Sequence, residues 1–241
     1  MEFITTNEAS NGRPVHAGTA SAATDIQEIM RRLATSRPVF HSEADFQHAF
    51  AWTVRELHPA AGVRLEYKPA IAGPRPEIDI WLRLGERIVA VELKYLTSKL
   101  EAVMDGETFR LANQNALPIR RYDCVADIER LERVVEAFGG QSLIEGYAVV
   151  LTNTRSCWLG GSDAGTIDAA FRLPEGRRLS GSLAWGERAA AGTRRNREHA
   201  VVLKGSYVAA WRDYSVVPGT NGTFRYLLNS VTGDAWGARR Q

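Results

Sequence analysis

Within residues 76 to 95, PEIDIWLRLGERIVAVELKY, three side chains have the types that phosphoester hydrolysis needs: Asp79, Glu92 and Lys94. The stretch has one turn signal, Gly85-Glu86, and a two-residue hairpin loop there pairs Leu84 with Arg87, Trp81 with Ala90, and Asp79 with Glu92. Glycine at the first loop position predicts a type II′ turn. Side chains alternate between the faces of a strand. Ile78, Ile80, Leu82 and Leu84 therefore share an apolar core face with Val89, Val91, Leu93 and Tyr95. Glu77, Asp79, Trp81 and Arg83 share the other face with Ile88, Ala90, Glu92 and Lys94. Two carboxylates opposed at a cross-strand distance of ~5 Å repel unless a cation lies between them. Oxygen donors favour a hard ion, magnesium or manganese, over zinc. Lys94, on the same face, can hold a water or a phosphate oxygen beside that ion. A solvated face with weak salt bridges is the plain alternative, and acid opposite acid argues against it.

Pro76 followed by Asp79, then Glu92-Leu93-Lys94 after the turn, resembles the PD-(D/E)xK phosphodiesterase superfamily of restriction endonucleases, junction resolvases and repair nucleases. In that superfamily an Asp ends one strand, an E-x-K signature lies on the next, and a preceding helix often adds a Glu. Residues 41 to 57, HSEADFQHAFAWTVREL, read as such a helix: Ser42 is the N-cap, Asp45 lies in the first turn, and Phe46, Ala49, Phe50, Val54 and Leu57 form an apolar stripe. Glu43 matches the helical glutamate; interaction with the helix dipole is its other role. The resemblance covers roughly residues 42 to 153. It implies an α/β fold with a restriction endonuclease-like core, a mixed β-sheet flanked by helices. It also implies Mg2+, with Mn2+ an alternative, held by Asp79 and Glu92 with Glu43 and the Leu93 carbonyl as further candidates. The expected products are a 5′-phosphate and a 3′-hydroxyl, with DNA favoured as substrate. One departure is that Glu77 and Ile78 separate Pro76 from Asp79, which keeps Glu77 open as an additional acid or a simple strand-end charge.

The elements around the acids follow from periodicity. Residues 1–22, rich in Thr, Ala, Ser, Asn and Gly, read as a flexible tail. Residues 23–155 form the nuclease-like α/β core, and residues 156–241 a β-rich C-terminal extension packed on it. A short helix from Asp25 puts Ile26, Ile29, Met30 and Leu33 on one side. Residues 63–71 read as the first strand. Residues 97–120 give mixed signals, an irregular or partly helical crossover able to close over a substrate. The clearest helix spans residues 120–140, capped by Asp123, with Val125, Ile128, Leu131, Val135 and Phe138 buried and Gly139 and Gly140 stopping it. YAVVLTNT, residues 147–154, is an apolar run suited to a central strand. Strand, helix and strand in this order predict a right-handed crossover, with the helix on the core face of the hairpin. Residues 200–215 and 224–231 read as two long strands joined by a turn.

Arg120 and Arg121 precede the first turn of that helix, and Arg194, Arg195 and Arg197 gather in residues 192–199; all five are candidate phosphate contacts. Tyr207, Trp211, Tyr214, Phe224 and Tyr226 read as sheet core, with base stacking as the alternative. A net charge of +2 neither demands nor excludes nucleic acid. Two cysteines, Cys124 and Cys157, are too few for a disulfide scaffold or a zinc cluster, and no apolar run reaches membrane-spanning length. A cytoplasmic protein is expected, with DNA as partner, a second copy of the chain as an open alternative, and no membrane. The sequence thus reads as a metal-dependent nuclease, the alternative being a non-catalytic nuclease-fold protein that binds nucleic acid or another protein. Glycoside hydrolysis by a carboxylate pair leaves Lys94 without a task.

Overall fold

The computed structural model describes residues 22–71, 76–114, 116–139, 143–160 and 165–233. The expected tail over residues 1–22 lies, except for Ala22, outside the described residues, as does Gly140. In chain order the elements are α1 (Ala22–Ser36), α2 (Glu43–Leu57), β1 (Gly62–Tyr67), β2 (Ile78–Leu84), β3 (Arg87–Leu96), β4 (Leu100–Met104), β5 (Glu107–Leu111), α3 (Leu117–Phe138), β6 (Leu143–Thr152), β7 (Arg178–Leu183), α4 (Ala191–Arg194), β8 (Val201–Val208), β9 (Trp211–Val216) and β10 (Thr223–Val231).

Hydrophobic alternation builds a mixed α/β molecule around one six-stranded sheet of order β1-β2-β3-β6-β10-β9. β3 and β6 are parallel, with α3 between them in sequence, and the other neighbours are antiparallel. The acid-bearing hairpin has the expected register, from Leu84 opposite Arg87 to Ile80 opposite Val91. Gly85 turns it with φ 63°, and Glu86 keeps negative φ, as a type II′ turn requires.

Both faces of this sheet are covered. Ile80, Leu82, Val89, Val91, Leu93 and Tyr95 are buried together with Ile26, Ile29, Met30 and Leu33 of α1 and Phe46, Phe50 and Val54 of α2. On the acid-bearing face, Trp81, Ile88 and Ala90 are buried with Val125, Ile128, Leu131 and Val135 of α3. The expectation that α3 covers the other face is therefore wrong. Apolar Trp81, Ile88 and Ala90 make the acid-bearing face too hydrophobic to leave wet, and α1 and α2 already occupy its reverse. Strand β6 shows the same two-sided burial: Tyr147, Val149 and Leu151 meet one cluster, Ala148 and Val150 the other. Gly146 lets α3 come close to β6, because a Cβ there would meet Leu131 side-chain atoms at 3.1 and 3.2 Å and Val231 at 3.3 Å.

Three other expectations change. Residues 97–120 hold a β4–β5 hairpin rather than an irregular crossover, turned by Asp105 and Gly106, both with positive φ. Helix α3 starts at Leu117, with Pro118 in its first turn and Ala116 at the N-cap, so Asp123 lies inside it and caps nothing. The strand expected over residues 200–215 breaks at Ala209 and Ala210: β8 pairs with β7 in a separate two-stranded sheet, while β9 pairs with β10 in the main one. The C-terminal segment is therefore woven into the central sheet through β10, which lies against β6. All five aromatics of this segment noted above are buried. No helix among the described residues is long and apolar enough to cross a membrane.

Candidate active site

The site forms where β2 leaves β3. Hydrogen-bonded pairs alternate along an antiparallel ladder, and a two-residue loop makes Leu84 and Arg87 one such pair, so the ladder would continue at Leu93 and then Tyr95. β2 does not supply those bonds. Asp79 Oδ2 accepts from the Leu93 N–H at 2.7 Å, and Glu43 Oε2 accepts from the Tyr95 N–H at 2.8 Å. Lys94 Nζ donates to the Leu93 carbonyl at 3.0 Å, and Gln114 Nε2 to the Tyr95 carbonyl at 2.9 Å. Side chains thus take over four backbone partners on the opened edge of β3. Ile78, just before the parting, has crossed to the cluster of the acid-bearing face, which breaks the alternation expected for it.

Helix α2 props this gap open. The Ser42 hydroxyl accepts from the Asp45 N–H at 3.1 Å and fixes the first turn, in which Glu43 stands. Gln47, one turn on and on the same face, donates to the Asp79 carbonyl at 2.7 Å and to Glu66 Oε1 at 2.6 Å. From the other side α3 presents Asp127 and Arg130. Asp127 Oδ2 lies 2.8 Å from Lys94 Nζ, and Arg130 Nη1 donates to Glu92 Oε1 at 2.7 Å while lying 3.0 Å from Asp127 Oδ1. Glu92 is 1% exposed. Its second oxygen, Oε2, is buried without a hydrogen-bond partner, and the Asp79 carboxyl is its neighbour.

Electrostatics follow from this crowding. Burial raises the pKa of the Glu92 carboxyl well above the ordinary value, and Asp127 and Asp79 add to the rise while Arg130 and Lys94 oppose it. Burial also raises Asp79, against Lys94 and the Leu93 N–H. Glu43 is exposed as a residue, yet loss of water around its carboxylate raises it too, against Lys94 and the Tyr95 N–H. Burial alone would lower the Lys94 ammonium, but Asp127, Asp79 and Glu43 outweigh it and hold the lysine protonated. Two facing carboxyls with raised pKa values need a shared proton or a cation between them.

The donor set suits a hard divalent ion: the Asp79 and Glu92 carboxyls are neighbours, and Glu92 Oε2 is buried with no donor on it, open to an ion or to a proton shared with Asp79. Among the described residues no group of three His, Cys, Asp or Glu side chains surrounds one point. An ion would therefore rest on two carboxylates and take its other ligands from water or phosphate, as magnesium commonly does.

The sequence candidates are thus divided. Asp79, Glu92, Lys94 and Glu43 converge on one strand edge. Glu77 is exposed and paired with Lys68 at 3.1 Å, away from them. Arg120 is exposed, and its charge reaches Glu43. Arg121 is used inside the fold: it is 5% exposed and donates to Asp168 at 2.6 Å and to the Ser156 carbonyl at 3.0 Å. Arg197 is clamped on Asp123 at 2.6 Å, beside the first turns of α3. Arg194 closes α4, and Arg195 follows it, exposed. Sequence reasoning passed over Gln47, Gln114, Asp127 and Arg130. Gln47 was signalled by its spacing of four from Glu43, and Asp127 with Arg130 by their i, i+3 charges amid the apolar stripe of α3. No family model matches the chain, and neither a curated protein nor a solved structure was found to be similar to it.

Proposed function

We propose that the chain is a magnesium-dependent nuclease that hydrolyses phosphodiester bonds in DNA. One observation carries this reading: β2 parts from β3 so that Asp79, Glu43 and Lys94 close the strand edge by their side chains, while Glu92 beside them keeps a buried oxygen unpartnered. A fold selected for stability alone would have continued the ladder. A bound magnesium would supply an acidified water and a counter-charge for the extra negative charge of the transition state. Asp79 and Glu92 are the residues to hold it, with Glu43 adjoining. Lys94, kept protonated and aimed by Asp127, holds the attacking water or a phosphate oxygen in place. Arg120 draws the phosphate backbone toward the Glu43 side.

A second reading has its own support. Arg130 neutralises Glu92, and the burial of Glu92 fits a charge network that no longer meets substrate, as in a nuclease-like protein that only binds nucleic acid. Incubation with plasmid, linear duplex and single-stranded DNA in Mg2+ or Mn2+ separates the two. Cleavage that stops with EDTA and with Asp79→Ala is expected. Cleavage that survives both removes the metal mechanism, and DNA binding without cleavage supports the second reading.

A further inference from the structure

The acid-bearing face continues along β2 past Trp81 to Arg83, and there it opens into a cleft of about 320 Å³ lined by Gly62, Arg64, Tyr67, Trp81 and Arg83. The pairing of Gly62 with Arg83 and of Arg64 with Trp81 puts these four side by side on one face of the sheet. Alternation places that face in line with Asp79. Arg64 and Arg83 are both exposed, and among the described residues neither pairs with a carboxylate, although Lys68 nearby is paired with Glu77. Arg64 is steered by its own strand, donating from Nη1 to the Val63 carbonyl at 2.8 Å. Gly62 contributes no side chain to the cleft, and a Cβ there would lie in ordinary contact with the stem of Arg83 at 3.5 Å.

Aromatic rings form the rest of the cleft. Tyr67 lies 4.9 Å from Trp81, ring centre to ring centre, and Trp81 is backed by Phe138 of α3 at 5.6 Å. Trp81 is buried by this packing, whereas Tyr67 stays 36% exposed at the end of an edge strand. A partly exposed ring beside two guanidiniums that meet no carboxylate among the described residues matches the two ends of a nucleotide, a flat base and an anionic phosphate. The cleft volume lies at the low end of the range for small-ligand sites. Four residues of strand separate Arg83 from Asp79, about 13 Å, or a few nucleotides of one strand.

We propose that this cleft is a subsite for one unpaired nucleotide of single-stranded DNA, with Arg64 and Arg83 on its phosphate and Tyr67 stacked on its base. That the nucleotide belongs to the strand being cut rests on the nuclease reading; the subsite itself does not. Fluorescence anisotropy with a labelled single-stranded oligodeoxynucleotide, in EDTA so that cleavage plays no part, tests it on the full chain. The double variant Arg64→Ala, Arg83→Ala should bind more weakly, with the slope of log affinity against log salt reduced by about 1.4, the loss of two phosphate contacts on a single strand. Tyr67→Ala should weaken binding by about 5- to 150-fold with the slope unchanged, and Tyr67→Phe should bind as the native chain does. A native chain that fails to bind the oligonucleotide overturns the subsite, as does a double variant with native affinity and slope. If Tyr67→Ala binds like the native chain, the stacking assignment is overturned. An inactive nuclease that passes these measurements leaves the subsite standing and removes only the cutting.

Discussion

Two glutamates forty positions apart in the chain, each 1% exposed, are treated in opposite ways. Glu132 of α3, 1% exposed, accepts from the Lys204 and Gly205 N–H groups at 2.8 and 2.7 Å and from the Tyr207 hydroxyl at 2.8 Å. Both of its oxygens are occupied, and it fastens β8 to the helix. Glu92, equally buried, has one oxygen on Arg130 and the other facing a second acid. A satisfied buried carboxylate stabilises its surroundings, whereas an unsatisfied one costs free energy and persists only where something else requires it. The contrast separates a clasp from a candidate site within one helix-covered face.

Four variants test that contrast. Glu132→Ala takes the acceptor from the Lys204 and Gly205 N–H groups, so it should lower unfolding stability by about 3 kcal/mol or more in urea titration. A loss under about 1 kcal/mol would dissolve the distinction. Asp79→Asn keeps an acceptor for the Leu93 N–H but removes the charge; cleavage of plasmid should fall by more than about 100-fold while the urea midpoint stays or rises. Asp127→Asn loosens Lys94 and should slow cleavage by about 10- to 100-fold, with the oligonucleotide affinity in EDTA unchanged. Glu92→Gln relieves the repulsion with Asp79 and should raise stability by about 0.5–1 kcal/mol. Magnesium should then no longer raise its melting temperature, as it should for the native chain.

Local rules reached some parts of the molecule and not others. The Gly85-Glu86 turn set the hairpin register from Leu84–Arg87 to Ile80–Val91, because a two-residue loop admits one pairing, but the expected Asp79–Glu92 pair lies beyond the end of that ladder and Ile78 breaks the alternation. Asp79, Glu92, Lys94 and Glu43 were legible as a set, since side-chain type and face are local properties. Which helix covers the acids was not legible: both faces of the hairpin are apolar enough to be buried, and only the packing of α1 and α2 on one of them decides the other. Residues 97–120 held a readable signal, the Asp105-Gly106 pair that favours a tight hairpin turn, but Leu100, Ala102, Phe109 and Leu111 are spaced without long runs. The parting of β2 from β3 depends on Gln47, Gln114 and Asp127 reaching across sequence separations that no periodicity records. Arg121 shows the same limit, for its partner Asp168 lies 47 residues away.

The position of β10 bears on how the chain comes into being. β6 lies between β3 and β10, so as the polypeptide leaves the ribosome this apolar central strand has a raw flank until residues 223–231 emerge. The four candidate side chains are made before residues 223–231, the segment that completes the sheet holding them. The sheet around the candidate site should therefore close only once β10 is in place, and a chain halted before Thr223 would leave the apolar flank of β6 open.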